Sequence, residues 1–89
     1  MPRANIEIIN KLGLHARAAS KLVAITSKYS CDVKITKGEK IVDGKSIMSV
    51  MMLAASKGTQ LQIATQGEDQ DQALEAIVYL INNRFDEEE

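Results

Sequence analysis

The chain has one cysteine, Cys31, one histidine, His15, one proline and no tryptophan among its 89 residues. A single thiol closes no intramolecular disulfide, which excludes the disulfide-stapled secreted scaffolds. No basic-then-apolar leader precedes the first polar residues, so a cytoplasmic location is expected. A lone histidine and a lone cysteine in a strand-like stretch make no metal-ligand cluster, and neither a metal nor another cofactor is expected. Only Tyr29, Tyr79 and Phe85 are aromatic. They offer no stacking platform for single-stranded nucleic acid, so nucleic-acid binding is not expected. Apolar runs reach only six residues, as at 50–55, against the roughly 20 that a spanning helix requires, so membrane insertion is not expected.

What is present has the balance of a folded globular chain, 45% hydrophobic and 26% charged, which excludes disordered and collagen-like classes. So short a chain builds one core. Residues 1–89 therefore read as a single domain, and a two-domain enzyme that closes around a cleft is excluded. The net charge of -1 hides an asymmetry: residues 1–57 carry ten basic and four acidic side chains, +6, and residues 58–89 carry one basic and eight acidic, -7. The basic part suits an acidic partner or a phosphate, whereas Asp86, Glu87, Glu88 and Glu89 read as a solvated acidic tail.

Hydrophobic period orders the elements. Ile6 and Ile8 alternate with Asn5 and Glu7 as a strand ending near Asn10. From Ala16 onward Ala18, Leu22, Ile25 and Tyr29 recur at helical spacing. Cys31, Val33 and Ile35, then Gly38, then Ile41 and Val42 predict a hairpin closed by Gly44. Ser46 stands before a short apolar helix as an N-cap, and Leu61, Ile63 and Thr65 form a fourth strand. Asp69 with Gln72 resembles a capping box opening a last helix, with Leu74, Ile77, Val78, Ile81 and Phe85 as its apolar stripe. The order β-α-β-β-α-β-α, with one apolar face per element, predicts an α+β open-faced sandwich: a four-stranded antiparallel sheet with three helices on one face.

His15 falls at the first strand-to-helix junction, within Gly13-Leu14-His15-Ala16-Arg17. There the opening amides of the helix lack intrahelical partners and the positive end of its dipole favours an anion. The same environment disfavours protonation of the imidazole and leaves a nitrogen free as a nucleophile. Arg17 can turn its fork of donors toward phosphate oxygens. A lone histidine at a helix start is also a common capping or surface residue, and Ser46 before a helix is most often a cap alone. No second histidine completes a hydrolytic constellation, so an enzyme using His15 as a general base lacks its second group.

Gly13-Leu14-His15-Ala16-Arg17 together with Gly44-Lys45-Ser46-Ile47-Met48 resembles the HPr phosphocarriers of the bacterial phosphotransferase system, and the likeness extends over nearly the whole chain. The segments 10–17 and 46–55 look most like the NPr and proteobacterial HPr-like branch. The resemblance implies that His15 takes a phosphoryl group on Nδ1 from phospho-enzyme I, itself charged by phosphoenolpyruvate. His15 then passes the group to an enzyme IIA protein, and Arg17 steadies the phosphate. It implies a carrier rather than an enzyme. Two positions depart from many members: Ala18 replaces a proline, and Leu12 replaces a polar residue common in the sugar branch. In relatives from bacteria with an HPr kinase, the serine matching Ser46 is phosphorylated as a switch, so a regulatory docking module controlled at Ser46 is the alternative reading.

Around the second helix, 100° steps let Val50, Leu53 and Ala54 face the sheet only if Met48 and Met52 point elsewhere, with Ile47 and Met51 intermediate. Flexible thioethers suit a surface that meets several partners in turn. The resemblance implies that this patch docks donor and acceptor alike, so Leu14, Ile47, Met48, Met51 and Met52 are expected to contact partners, with Lys21, Lys45 and Lys57 at the rim; a second core face covered by a loop is the alternative. A monomer is the expected state.

Overall fold

Alternation along the strands decides which side of the sheet faces inward. Ile6, Ile8, Val33, Ile35, Leu61, Ile63 and Thr65 are buried, while Glu7, Lys34 and Gln60 between them lie exposed. In the computed structural model, which describes residues 2–87, the strands are β1 (Arg3–Glu7), β2 (Asp32–Lys37), β3 (Lys40–Asp43) and β4 (Gln60–Gln66). The helices are α1 (Ala16–Thr26), α2 (Ile47–Met51) and α3 (Gln70–Asn82), followed by a 3-10 turn, Arg84–Asp86. All strand pairs are antiparallel in the spatial order β1-β4-β2-β3. The three helices cover one face, as the element order led us to expect.

The register places apolar residues opposite one another on the covered face: Ile6 pairs with Leu61, Ile35 with Ile63 and Val42. A shift of one residue would turn each of these side chains to solvent, so burial itself selects the register. On the open face the pairs are polar; Gln60 Nε2 donates to Glu7 Oε1 at 3.1 Å and Gln62 Nε2 to Asn5 Oδ1 at 3.3 Å. Beneath the sheet, α1 contributes Ala18, Ala19, Leu22 and Val23 to the core and α3 contributes Ala73, Ile77, Leu80 and Ile81. Ala18 and Ala19 are fully buried, so α1 sits close to its neighbours, and the alanine at position 18 packs as well as continuing the helix.

Several boundaries differ from the periodic reading. β1 ends at Glu7 rather than near Asn10, although Ile8 still exchanges bonds with the segment leading into β4: its N–H donates to Thr59 O at 3.0 Å and its carbonyl accepts from Gly58 N at 2.7 Å. α1 stops at Thr26, whose hydroxyl donates to Gly44 O at 2.8 Å; Tyr29 therefore lies in the following turn, not on the helical stripe. The expected capping box is absent. Asp69 occupies the N-cap of α3, but its carboxylate accepts the Ser30 and Cys31 amides, both at 2.9 Å, and so ties down the entry to β2. Ala54 is exposed with φ 51°, past the end of α2, while Val50 and Leu53 are buried as expected. Phe85 is not on α3: that helix ends at Asn82, and Arg84, Phe85 and Asp86 adopt left-handed φ of 55°, 53° and 64° that reverse the chain and drop the ring into the core.

Candidate functional site

His15 is the N-cap of α1. Its backbone is extended (φ -75°, ψ 178°) and its carbonyl accepts the first intrahelical bond, from Ala19 N at 2.8 Å, while its side chain caps nothing. The imidazole is thus held at the mouth of the helix, where the opening amides and the dipole favour negative charge. Its side chain keeps 27% exposure. Arg17 follows on an exposed position of the first turn.

The loop behind the histidine is fixed from two sides. Leu14 N donates to Ala55 O at 2.8 Å, and Asn10 Nδ2 donates to Gly13 O at 2.8 Å. Gly13 has φ +68°, and a Cβ there would lie 2.6 Å from Ala55 O and 2.8 Å from Ser56 Cα. The glycine thus serves close approach between two backbones.

The acidic tail is not solvated at Glu87. Its Oε2 accepts a hydrogen bond from His15 Nε2 at 2.5 Å, and its Oε1 accepts one from Asn10 Nδ2 at 2.8 Å. The tail is strapped there by buried Phe85, by Lys21 Nζ donating to Phe85 O at 2.9 Å, and by Asn83 Nδ2 donating to Asp86 Oδ1 at 2.8 Å. Partial burial pushes the Glu87 carboxyl upward. The bonds from Asn10 and His15 and the charges of His15 and Arg17 outweigh it and hold the group below the ordinary carboxylate range. An ionised carboxylate only accepts, so the ring nitrogen facing it, Nε2, carries a proton. Glu88 and Glu89 lie outside the described residues. The solvated-tail expectation fails at Glu87, because the burial of Phe85 draws that residue toward His15, while Asp86 stays exposed as expected.

Ser46 is the N-cap of α2, and its hydroxyl accepts from Ser49 N at 3.3 Å. Met48 and Met52 are 72% and 70% exposed, and Ile47 and Met51 are about half as open, 41% and 39%. The helix thus turns its thioethers outward as the 100° steps required. Leu12, 67% exposed, adds to the apolar surface on the loop that docks beside the end of α2. One expected surface residue is placed otherwise. Leu14 is 6% exposed and packs in the core, because the loop that carries it is pinned to Ala55. Lys21 and Lys45 stay partly exposed while Lys21 Nζ donates to Phe85 O at 2.9 Å and Lys45 Nζ to Tyr29 O at 2.7 Å.

Sequence reasoning missed Asn10 and Glu87. Asn10 looked like the end of a strand; it is fully buried and bridges the loop to the tail. For Glu87 the available signal was its neighbour: an aromatic residue, Phe85, beside an otherwise polar run.

Fold and site define the class: an open-faced sandwich presenting the chain's one imidazole at a helix start, the form of a histidine-bearing carrier domain. Residues 2–83 match the family model described as the PTS HPr component phosphorylation site. The chain is 61% identical to the phosphocarrier protein HPr of Pseudomonas aeruginosa over the full length of both. It is 40% identical to the phosphocarrier protein NPr of Shewanella violacea, covering 92% of this chain and 90% of that one. Among solved structures, HPr-C-His from Thermoanaerobacter tengcongensis superposes with a TM-score of 0.97 at 42% identity, covering all of both chains. The chain belongs to the HPr family, and it is a phosphocarrier protein of the phosphotransferase system rather than an enzyme.

Proposed function

We propose that His15 accepts a phosphoryl group from phospho-enzyme I, charged by phosphoenolpyruvate, and passes it to an enzyme IIA protein. The observation that carries the reading is the half-open imidazole at the start of α1, whose Nε2 is taken up by Glu87 and whose Nδ1 is therefore the ring nitrogen turned away from that carboxylate. Nδ1 attacks phosphorus, and the nitrogen–phosphorus bond formed is reversible because the same atom leaves as readily to a second acceptor. The opening amides of α1 and the guanidinium of Arg17 stabilise the added negative charge. Docking uses the exposed Ile47, Met48, Met51 and Met52, whose unbranched side chains adapt to donor and acceptor in turn. Such complexes form and part quickly, which suits a monomeric cytoplasmic carrier.

The test is incubation with phosphoenolpyruvate, Mg²⁺ and enzyme I from a sugar and from a nitrogen-regulatory branch, followed by intact mass before and after brief acid treatment. One acid-labile phosphate, absent from His15→Ala, is expected, and the faster donor names the branch. Arg17→Ala is expected to slow charging while leaving the unfolding midpoint almost unchanged. No phosphate from either donor overturns the reading.

The second reading is a docking module switched at Ser46 by an HPr kinase. It is favoured by the position of that hydroxyl, directly before the exposed Ile47 and Met48. A phosphate there places charge against an apolar docking surface and weakens binding by desolvation and repulsion. An acid-stable phosphate from ATP and the kinase, lost with Ser46→Ala, is its signature.

A further inference from the structure

We propose that Glu87 is a positioning residue for phosphoryl transfer: its carboxylate, strapped onto His15 Nε2 by the C-terminal turn, presents Nδ1 as the nucleophile and balances the positive charge that the ring acquires. The proposal deepens the reading of His15 as the phosphoryl acceptor and rests on it.

The geometry joins two parts of the chain that are distant in sequence, the segment from Asn10 into α1 and the C-terminal turn. Asn10, buried in the loop between β1 and α1, holds one Glu87 oxygen at 2.8 Å; His15 Nε2 meets the other at 2.5 Å. The 3-10 turn supplies the anchor, with Phe85 fully buried and its carbonyl accepting from Lys21 at 2.9 Å. A carboxylate held by two donors has little freedom to leave, so the imidazole it binds is held in one orientation, and the neutral ring has its proton on Nε2. This is the role of the aspartate in a serine-protease triad, which orients its histidine and stabilises the imidazolium without taking the proton.

The transfer balances as follows. The Nδ1 lone pair forms a bond to phosphorus while the bond from phosphorus to the donor's atom breaks, and that atom keeps the bonding pair. The proton on Nε2 stays where it is, so the phosphorylated ring becomes a cation facing Glu87. On delivery the Nδ1–phosphorus bond breaks toward Nδ1, the phosphoryl group leaves with the acceptor, and the ring returns to neutral with its Nε2 proton unmoved. A carboxylate is also a negative charge near the incoming phosphoryl group. It sits on the far nitrogen of the ring, and Arg17, whose charge already acts on Glu87, offsets the repulsion.

Both partners keep some solvent contact, 27% and 16% side-chain exposure, so the effect is smaller than that of a buried triad aspartate. Removing the charge with Glu87→Gln is expected to slow single-turnover charging of His15 by phospho-enzyme I by about tenfold. Glu87→Asp should recover part of that loss. The spectroscopic arm uses the unphosphorylated protein, in which the single histidine gives one set of imidazole signals. The Nε2 proton should resonate far downfield in the native chain and move upfield in Glu87→Gln, with the unfolding midpoint of the two alike. If the native chain charges and Glu87→Gln charges within twofold of it, the proposal falls while the carrier reading stands. Faster charging of Glu87→Gln makes Glu87 an inhibitory clasp and also overturns it. If the native chain takes no phosphate, the carrier reading falls and takes the proposal with it.

Discussion

Phe85 offers the sharpest test of how the site is assembled, because one apolar side chain at the end of the described fold holds the carboxylate against His15. The ring is fully buried, yet it is flanked by left-handed residues, Arg84 at 55° and Asp86 at 64°, and is itself at 53°. Non-glycine residues pay roughly 1 to 2 kcal/mol each for that conformation, so the turn persists only while the ring is docked. Truncating a buried phenylalanine costs about 3 to 5 kcal/mol where the surroundings stay in place. Here the terminal turn can peel away and recover its strain, so Phe85→Ala should fall at the lower end, near 3 kcal/mol. For a domain of this size that lowers Tm by about 12 to 24 °C. A native stability of roughly 5 to 15 kcal/mol leaves the variant folded at room temperature. Calorimetry measures the shift, and the imidazole signals of His15 report whether Glu87 has left. Phe85→Leu, which keeps most of the volume, should lose less than about 1.5 kcal/mol and retain the contact. A loss below 1 kcal/mol for Phe85→Ala, with the His15 signals unmoved, would show that the ring does not anchor the tail.

Gly13→Ala should destabilise by at least about 1 kcal/mol more than Gly38→Ala. Both glycines have positive φ, but a Cβ at 13 meets Ala55 O at 2.6 Å and one at 38 meets nothing within 4 Å; urea midpoints of the two variants measure the difference. The Asp69 carboxyl is held below its ordinary value mainly by the Ser30 amide, with burial opposing and the Cys31 amide adding to it. Its folded-state value is the lower one, so its contribution to stability is complete above about pH 4 and disappears as the pH falls through that depressed value. The stability gap between native chain and Asp69→Asn, followed by urea unfolding from pH 7 downward, should therefore narrow on acidification; a constant gap refutes the link. Met48→Glu and Met52→Glu change side chains that are 72% and 70% exposed, so stability should stay within about 0.5 kcal/mol while charging by enzyme I slows. Unaltered charging rates would remove these methionines from the docking surface.

Much of this protein is legible along the chain because its elements are local and one-sided. Alternation in 5–8, 31–36 and 61–65 marks strands, and the serine before Ile47 marks a cap that the Ser49 amide occupies. The candidate histidine announces itself by the glycine and arginine around it. The helix ends were less legible, since Thr26 shares its hydroxyl between Val23 O in its own helix and the distant Gly44 O, and Asp69 spends its carboxylate on the distant Ser30 and Cys31 amides rather than on a local cap.

Sequence alone determined the class of fold, the inward face of each element and the place of His15 at a helix start, because hydrophobic period and turn residues act over a few positions. Only the tertiary structure decided that β4 lies between β1 and β2, that Leu14 faces the core, and that Glu87 meets His15 across 72 positions of chain. That last contact depends on the burial of Phe85, and the free energy of burying a side chain is set by what surrounds it after folding, which no local pattern records.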